Sequence, residues 1–158
     1  MSETQEITLT LTQESDYVFR IAFDDTPIPE LITDENAPLG TDRGPNPSRM
    51  LVAAVANCLS ASLLFALRKF KNTPGTIVTR AKAQLGRSEQ GRLRVQHIGV
   101  TIDLPEALAD YHQAERLLQQ FENFCVVTES VRAGVAVDVA VRDGTGSVIH
   151  DSAVAPAA

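Results

Sequence analysis

The chain opens on two short runs in which apolar and polar side chains alternate, the period of a strand with one buried face. In residues 6–12 the apolar positions are Ile7, Leu9 and Leu11; in residues 17–23 they are Tyr17, Phe19, Ile21 and Phe23. The polar segment 13–16 between them reads as a hairpin connection. Residues 24–44 are rich in Pro, Asp and Gly and read as a long loop, with a third short strand at 31–33. Long loops in compact domains often carry function.

The period then changes. Asn46 as N-cap and Pro47 at the first helical position predict a helix running from Ser48 to Lys71. Lys69 and Lys71 complement its C-terminal dipole, and Pro74-Gly75 stop it. From Met50 to Leu67 the helix carries no charge over 18 residues. That length brushes the threshold for a membrane span. Asn57, Ser60 and Ser62 are polar, however, and the alanines keep the helix small. A helix apolar nearly all round is otherwise the buried centre of a globular fold.

Residues 76–86 and 92–104 predict a long hairpin with its turn at 87–91. Pro105 begins a second predicted helix, reaching Asn123, with Leu108, Tyr111, Leu117, Leu118 and Phe121 on its apolar side. A short segment runs on to Arg132, Gly134 breaks it, and residues 135–141 predict a last strand with an extension at 147–150. Residues 151–158 read as a frayed tail. Runs of strands punctuated by helices give an α+β fold with antiparallel sheets around a central helix. One small sheet cannot cover that helix on all sides, so a homodimer partner is expected to do so.

Length and composition narrow this further. A chain of 158 residues favours a single domain, 1–158, with a core from about residue 6 to 150. The net charge is −6 and the pI about 5.0, with one small basic cluster at Arg68, Lys69 and Lys71. Neither nucleic acid nor an anionic membrane surface is an expected partner of such a chain. The acidic start Met1-Ser2-Glu3-Thr4-Gln5-Glu6 lacks the basic and apolar stretches of a secretory signal, so a cytoplasmic location is expected. In that compartment the two cysteines are free thiols or a cycling redox pair.

Cys58 lies in the middle of the apolar helix, and Cys125 directly follows the second helix. Neither has a CxxC neighbour, and His97, His112 and His150 are dispersed, so no metal or cofactor is expected. Free cysteine is also among the most buried residue types, which leaves open a reading of both as small core hydrophobes.

The stretch Gly44-Pro45-Asn46-Pro47, followed by the alanine-rich run Ala53 to Ser60, resembles the signature of the OsmC/Ohr family (osmotically inducible protein C and organic hydroperoxide resistance protein). That signature is a Gly-x-x-Pro turn and a helix with a cysteine eleven residues after the proline, the spacing from Pro47 to Cys58. The segment from Phe124 to Val131 is similar to the family's second cysteine followed by a hydroxyl residue. The resemblance covers about residues 6–142. It implies an OsmC-like fold and an intertwined homodimer with active sites at the subunit interface. It further implies a thiol peroxidase acting on small organic hydroperoxides, in which the Cys58 thiolate attacks the peroxide. The sulfenic acid then condenses with Cys125, and a thiol or a dithiol of lipoyl type reduces the disulfide.

Such a mechanism needs a lowered thiol pKa. The resemblance implies an arginine in the first hairpin turn, held by a glutamate at the start of the cysteine helix. Here the turn holds Glu14, and Ser48 and Arg49 follow Pro47. A reversed pair of Glu14 with Arg49 is therefore expected to do that work. Arg49 is nine residues before Cys58, about 13 Å along the axis and on the opposite face, so it could act only from a partner chain or through a bound substrate. Arg20 and Arg43 are the other candidate cations, and Glu35 an alternative anchor. The competing readings are a protein that binds a small hydrophobic ligand without turnover, and a redox sensor.

Overall fold

The computed structural model describes residues 4–134, 140–142 and 148–151. The first sheet is an antiparallel meander of β1 (Leu9–Ser15), β2 (Val18–Phe23) and β3 (Leu31–Thr33). Two boundaries differ from those the alternation predicts. The first strand begins later and continues through residues 13–15, taken above as turn; a register irregularity between Gln13 and Ser15 absorbs the extra residue. The reversal falls instead at Asp16, which adopts the left-handed backbone (φ 45°) that Asp tolerates.

The long loop is ordered around Asp34, a carboxylate only 2% exposed. It accepts hydrogen bonds from the Thr41 hydroxyl (2.6 Å) and from the backbone amides of Glu35 (2.7 Å), Thr41 (2.9 Å) and Arg43 (3.2 Å). The loop then passes so close to β3 that a Cβ on Gly44 would collide with the Ile32 carbonyl oxygen. This is the physical requirement behind the glycine of the Gly-x-x-Pro turn.

Helix α1 (Pro47–Lys69) starts as expected: the Asn46 side chain accepts from the Arg49 amide at 2.9 Å. Its buried stripe is Val55, Leu59, Leu63 and Leu67, one residue per turn. By length and composition alone α1 could cross a membrane. Here its stripe packs on the second hairpin, β4 (Val78–Arg87) paired antiparallel with β5 (Leu93–Asp103), and on the helical segments that follow.

The predicted second helix from Pro105 to Asn123 is not continuous. It resolves into a 3-10 turn at Leu108–Asp110, helix α2 (Ala114–Gln120) and a second 3-10 turn at Phe121–Phe124. The interruption has a visible cause. The buried Asn72 side chain donates to the His112 carbonyl (3.0 Å) and accepts from the His112 amide (2.7 Å), capturing the backbone groups a continuous helix would use. Gln113 next to it takes the left-handed conformation (φ 56°).

Helix α3 (Val126–Ala133) ends at Gly134, whose φ is 74°. A last antiparallel pair, β6 (Ala140–Arg142) and β7 (Val148–Asp151), closes the described chain. Of the strand predicted over 135–141, only its end falls in β6, and residues 135–139 lie outside the described residues; of the predicted tail 151–158, Asp151 ends β7 instead and the rest lies outside the described residues. The core has two adjoining clusters, one around Leu63, Leu67, Tyr111 and Leu117, the other around Val55, Leu59 and Cys125.

Candidate active site

Cys58 sits on the flank of the α1 stripe, and the fold brings it against Cys125. Both are free thiols; Cys58 is half-buried and Cys125 is 0% exposed. Cys125 occupies the N-cap position of α3. Its carbonyl accepts the first helical hydrogen bond, from the Glu129 amide at 3.0 Å, and its own amide donates to the Glu122 carbonyl at 2.9 Å. The Cys125 sulfur lies 3.0 Å from the Thr128 hydroxyl, itself buried one turn into α3.

The two sulfurs differ in acidity. Burial pushes the Cys58 thiol up, and its hydrogen bond to Cys125 pushes it further; the Val127 and Thr128 amides at the start of α3 oppose this. Burial also works against a charge on Cys125. There the hydrogen bonds from Cys58, the Thr128 hydroxyl and amide, and Ser62 outweigh it and bring the thiol below its ordinary value. One helix N-terminus thus serves both sulfurs, and the buried one also donates to the Thr128 hydroxyl.

The sequence-derived charges assemble elsewhere. Within one chain Glu14 does not meet Arg49. The Glu14 carboxylate accepts from Arg20 (Nε at 2.9 Å) and stands 3.5 Å from Arg43, and the Arg20 guanidinium holds it below the usual carboxylate range. Arg20 also reaches Glu30 at 3.5 Å. Arg49 instead donates to the Asn36 side chain, which is also bonded to Asn46 and Asp42. Glu35 contributes its amide to Asp34 and its carbonyl to the Asp42 amide. The carboxylate that gathers donors in this loop is Asp34, which the composition of the loop did not single out. The Thr41 hydroxyl above all, with the amides of Arg43, Thr41 and Glu35, brings its pKa down to about 2.

Ser62 is a site residue that sequence reasoning missed, and Thr128, the hydroxyl noted after Cys125, was given no role there. The signal available was the hydroxyl three residues after Cys125, at the N3 position of a helix capped by that cysteine. A largely apolar cleft of about 720 Å³ lies beside the pair without being lined by either cysteine; Val55, Leu59 and Thr128 form part of its wall with Ile98, Val100 and Ile102 of β5, and His97, Glu122 and Arg132 add polar groups. Among the described residues no three His, Cys, Asp or Glu side chains come together as metal ligands.

A family model described as OsmC-like protein matches residues 40–140, a stretch that holds both cysteines and every element packed around them. The chain belongs to the OsmC-like family. Solved structures agree on the fold. An organic hydroperoxide resistance protein from Elizabethkingia anophelis superposes with a TM-score of 0.65 at 18% identity, covering 87% of this chain and 95% of its own. The organic hydroperoxide resistance protein OhrB of Bacillus subtilis gives 0.56 at 21% identity, with 82% and 94% covered. An OsmC-like protein of unknown function from Vibrio cholerae gives 0.66 at 15% identity, with 80% and 94% covered. Comparison with curated proteins finds no match. At these identities the solved structures carry the antiparallel α+β OsmC-like fold, and the activity rests on this chain's own residues.

Proposed function

We propose that this OsmC-like protein is a cysteine-based peroxidase that reduces small organic hydroperoxides in the cytoplasm. The observation that carries the reading is the contact between Cys58 and Cys125. A half-buried thiol that a peroxide can meet is packed against a fully buried one that can resolve it. The Cys58 sulfur attacks the terminal peroxide oxygen, the O–O bond breaks, and the alcohol leaves. Cys125 then displaces hydroxide from the Cys58 sulfenic acid to form the disulfide, which a thiol or dithiol reductant returns to two thiols. The apolar cleft favours an organic substrate over hydrogen peroxide.

The working unit in this reading is a homodimer. Every residue of β1 is exposed, and Phe65 (67%), Phe124 (67%) and Val126 (75%) stand in solvent around the cysteine site. A sedimentation mass of two chains is expected; a monomer would remove this part of the reading. Arg20, Arg43 and Arg49 are the cations a partner could bring to Cys58.

The test is consumption of cumene or tert-butyl hydroperoxide by the reduced protein with dihydrolipoamide, beside Cys58→Ser. Turnover in the native protein and its loss in the variant is the expected result. No turnover, with both thiols free afterwards, would favour the second reading, a small hydrophobic ligand held in the cleft. The observation behind that alternative is that burial raises the Cys58 thiol, with no cation among the described residues of its own chain set beside it.

A further inference from the structure

We propose that Thr128 readies the resolving sulfur: its hydroxyl aims the Cys125 thiol and supports it through disulfide closure, before the oxidised Cys58 can meet a second peroxide. This deepens the peroxidase reading above and rests on it. Cys125 has no exposed surface and lies among Val55, Leu59 and Phe121. Bulk water therefore neither orients its thiol nor solvates the charge that grows there as it reacts. Thr128, itself 5% exposed, stands 3.0 Å from the sulfur, and the thiol donates to its hydroxyl.

The backbone around Cys125 is already fixed, which leaves its side chain to be set. The Cys125 amide donates to the Glu122 carbonyl at 2.9 Å, and its carbonyl accepts from the Glu129 amide at 3.0 Å. Cys125 is the N-cap of α3 and Thr128 the third residue of that helix, so both lie in one turn. Thr128 is branched at Cβ and stiff about χ1. Its oxygen thus holds a fixed place for the thiol, on the side of α3 where Val127 and Cys58 pack against one cluster. A side chain of the same shape without the hydroxyl would fill the space and leave the thiol free to turn.

A hydroxyl also serves on both sides of the proton transfer, because it accepts through two lone pairs and donates a proton that rotates. While Cys125 is neutral, Thr128 accepts from it. Once the Cys58 sulfenic acid has formed, the Cys125 sulfur attacks the Cys58 sulfur and the S–O bond breaks. The Cys125 proton joins the departing hydroxide as water, and the Thr128 hydroxyl turns to donate to the sulfur that loses it. No further oxidant or reductant enters. In the disulfide each sulfur carries half of the oxidation that Cys58 received from the peroxide. Speed matters here because Cys58 is half-buried and still open to substrate. A sulfenic acid left waiting goes on to sulfinic acid, which thiols do not reduce.

The test follows the two steps separately. Reduced full-length protein is mixed with one equivalent of cumene hydroperoxide, the Cys58 sulfenic acid is trapped at intervals with a dimedone-type reagent, and the disulfide is measured by mass. Thr128→Val is expected to keep the first step within about twofold of native and to slow closure at least about tenfold, the effect of one hydrogen bond to a group taking on charge. Under excess peroxide this variant should accumulate Cys58 sulfinic acid while the native protein stops at the disulfide. Thr128→Ser should restore native closure. Ser130→Ala, which removes from the same helix a hydroxyl bonded to the Val126 carbonyl at 2.8 Å, should be native in both steps. Native closure in Thr128→Val would overturn the proposal. So would a Thr128→Ser as slow as Thr128→Val, which would credit the methyl group, or an equal slowing of the first step, which would mean a general disturbance of packing. If the native protein forms no sulfenic acid, the peroxidase reading fails by itself, and closure is then measured with 2,2′-dithiodipyridine. The half-buried Cys58 takes up that reagent, and Cys125 displaces thiopyridone from it to form the same disulfide. The same deficit in Thr128→Val sustains the proposal; a native rate refutes it.

Discussion

Asn72 offers the sharpest test of how this fold delivers Cys125 to Cys58. Its side chain makes two hydrogen bonds to the backbone of His112, at 3.0 and 2.7 Å, across forty residues of sequence. Those bonds interrupt the helix and allow α2 to turn Leu117 into the core beside Leu67. Asn72→Ala removes both and leaves a partly buried amide and carbonyl without partners. At about 1 kcal/mol for each net hydrogen bond, and somewhat more for a group left unsatisfied, the loss should be about 2–3 kcal/mol. Asn72→Asp keeps an acceptor for the His112 amide but turns a second oxygen toward the carbonyl, so it should not rescue. Urea unfolding at a fixed protein concentration measures this, since a dimer's midpoint depends on concentration. The expected result is a lower midpoint with an unchanged slope, together with slower disulfide closure between Cys58 and Cys125 after oxidation. A loss below about 0.5 kcal/mol would refute the clamp and mean that apolar packing alone sets the break in the helix.

Three further outcomes follow from the same geometry. Leu67→Ala, at a position with no exposed surface, should cost about 2–5 kcal/mol in chemical unfolding. The Asp34 carboxyl titrates at about 2 in the folded chain, below its unfolded value of about 3.9. Its contribution is therefore fully present above about pH 4 and is lost as pH falls through about 2, and Asp34→Asn should flatten acid unfolding in that window. Alanine variants of Arg20, Arg43 and Arg49 should separate in the first peroxide step. A hundredfold loss at one of them marks the cation a partner chain supplies, whereas three native-like rates would leave the Val127 and Thr128 amides of α3 as the activating groups.

Much of the architecture was legible in local chemistry. The Asn46-Pro47 start, the uncharged run of α1, the two hairpins and the break at Gly134 each follow from side chains acting on their own backbone, and such signals are contained in a few adjacent residues. The two cysteines were likewise visible, because their spacing from a helix start and a proline is a property of the chain. What the chain could not display is anything that depends on residues far apart in sequence. The interruption of the predicted second helix comes from Asn72, the anchoring of the long loop from Asp34 gathering amides up to nine residues away, and the regrouping of Glu14 with Arg20 and Arg43 from the pairing of β1 with β2. The acidity of the thiols lies furthest from the sequence. It depends on burial and on which donors converge on each sulfur, and α3 aims its first turn at a cysteine of another helix. Sequence determined which groups could do the chemistry; the tertiary structure decided which sulfur is open and which groups surround each, because solvation and hydrogen bonding act through space and not along the chain.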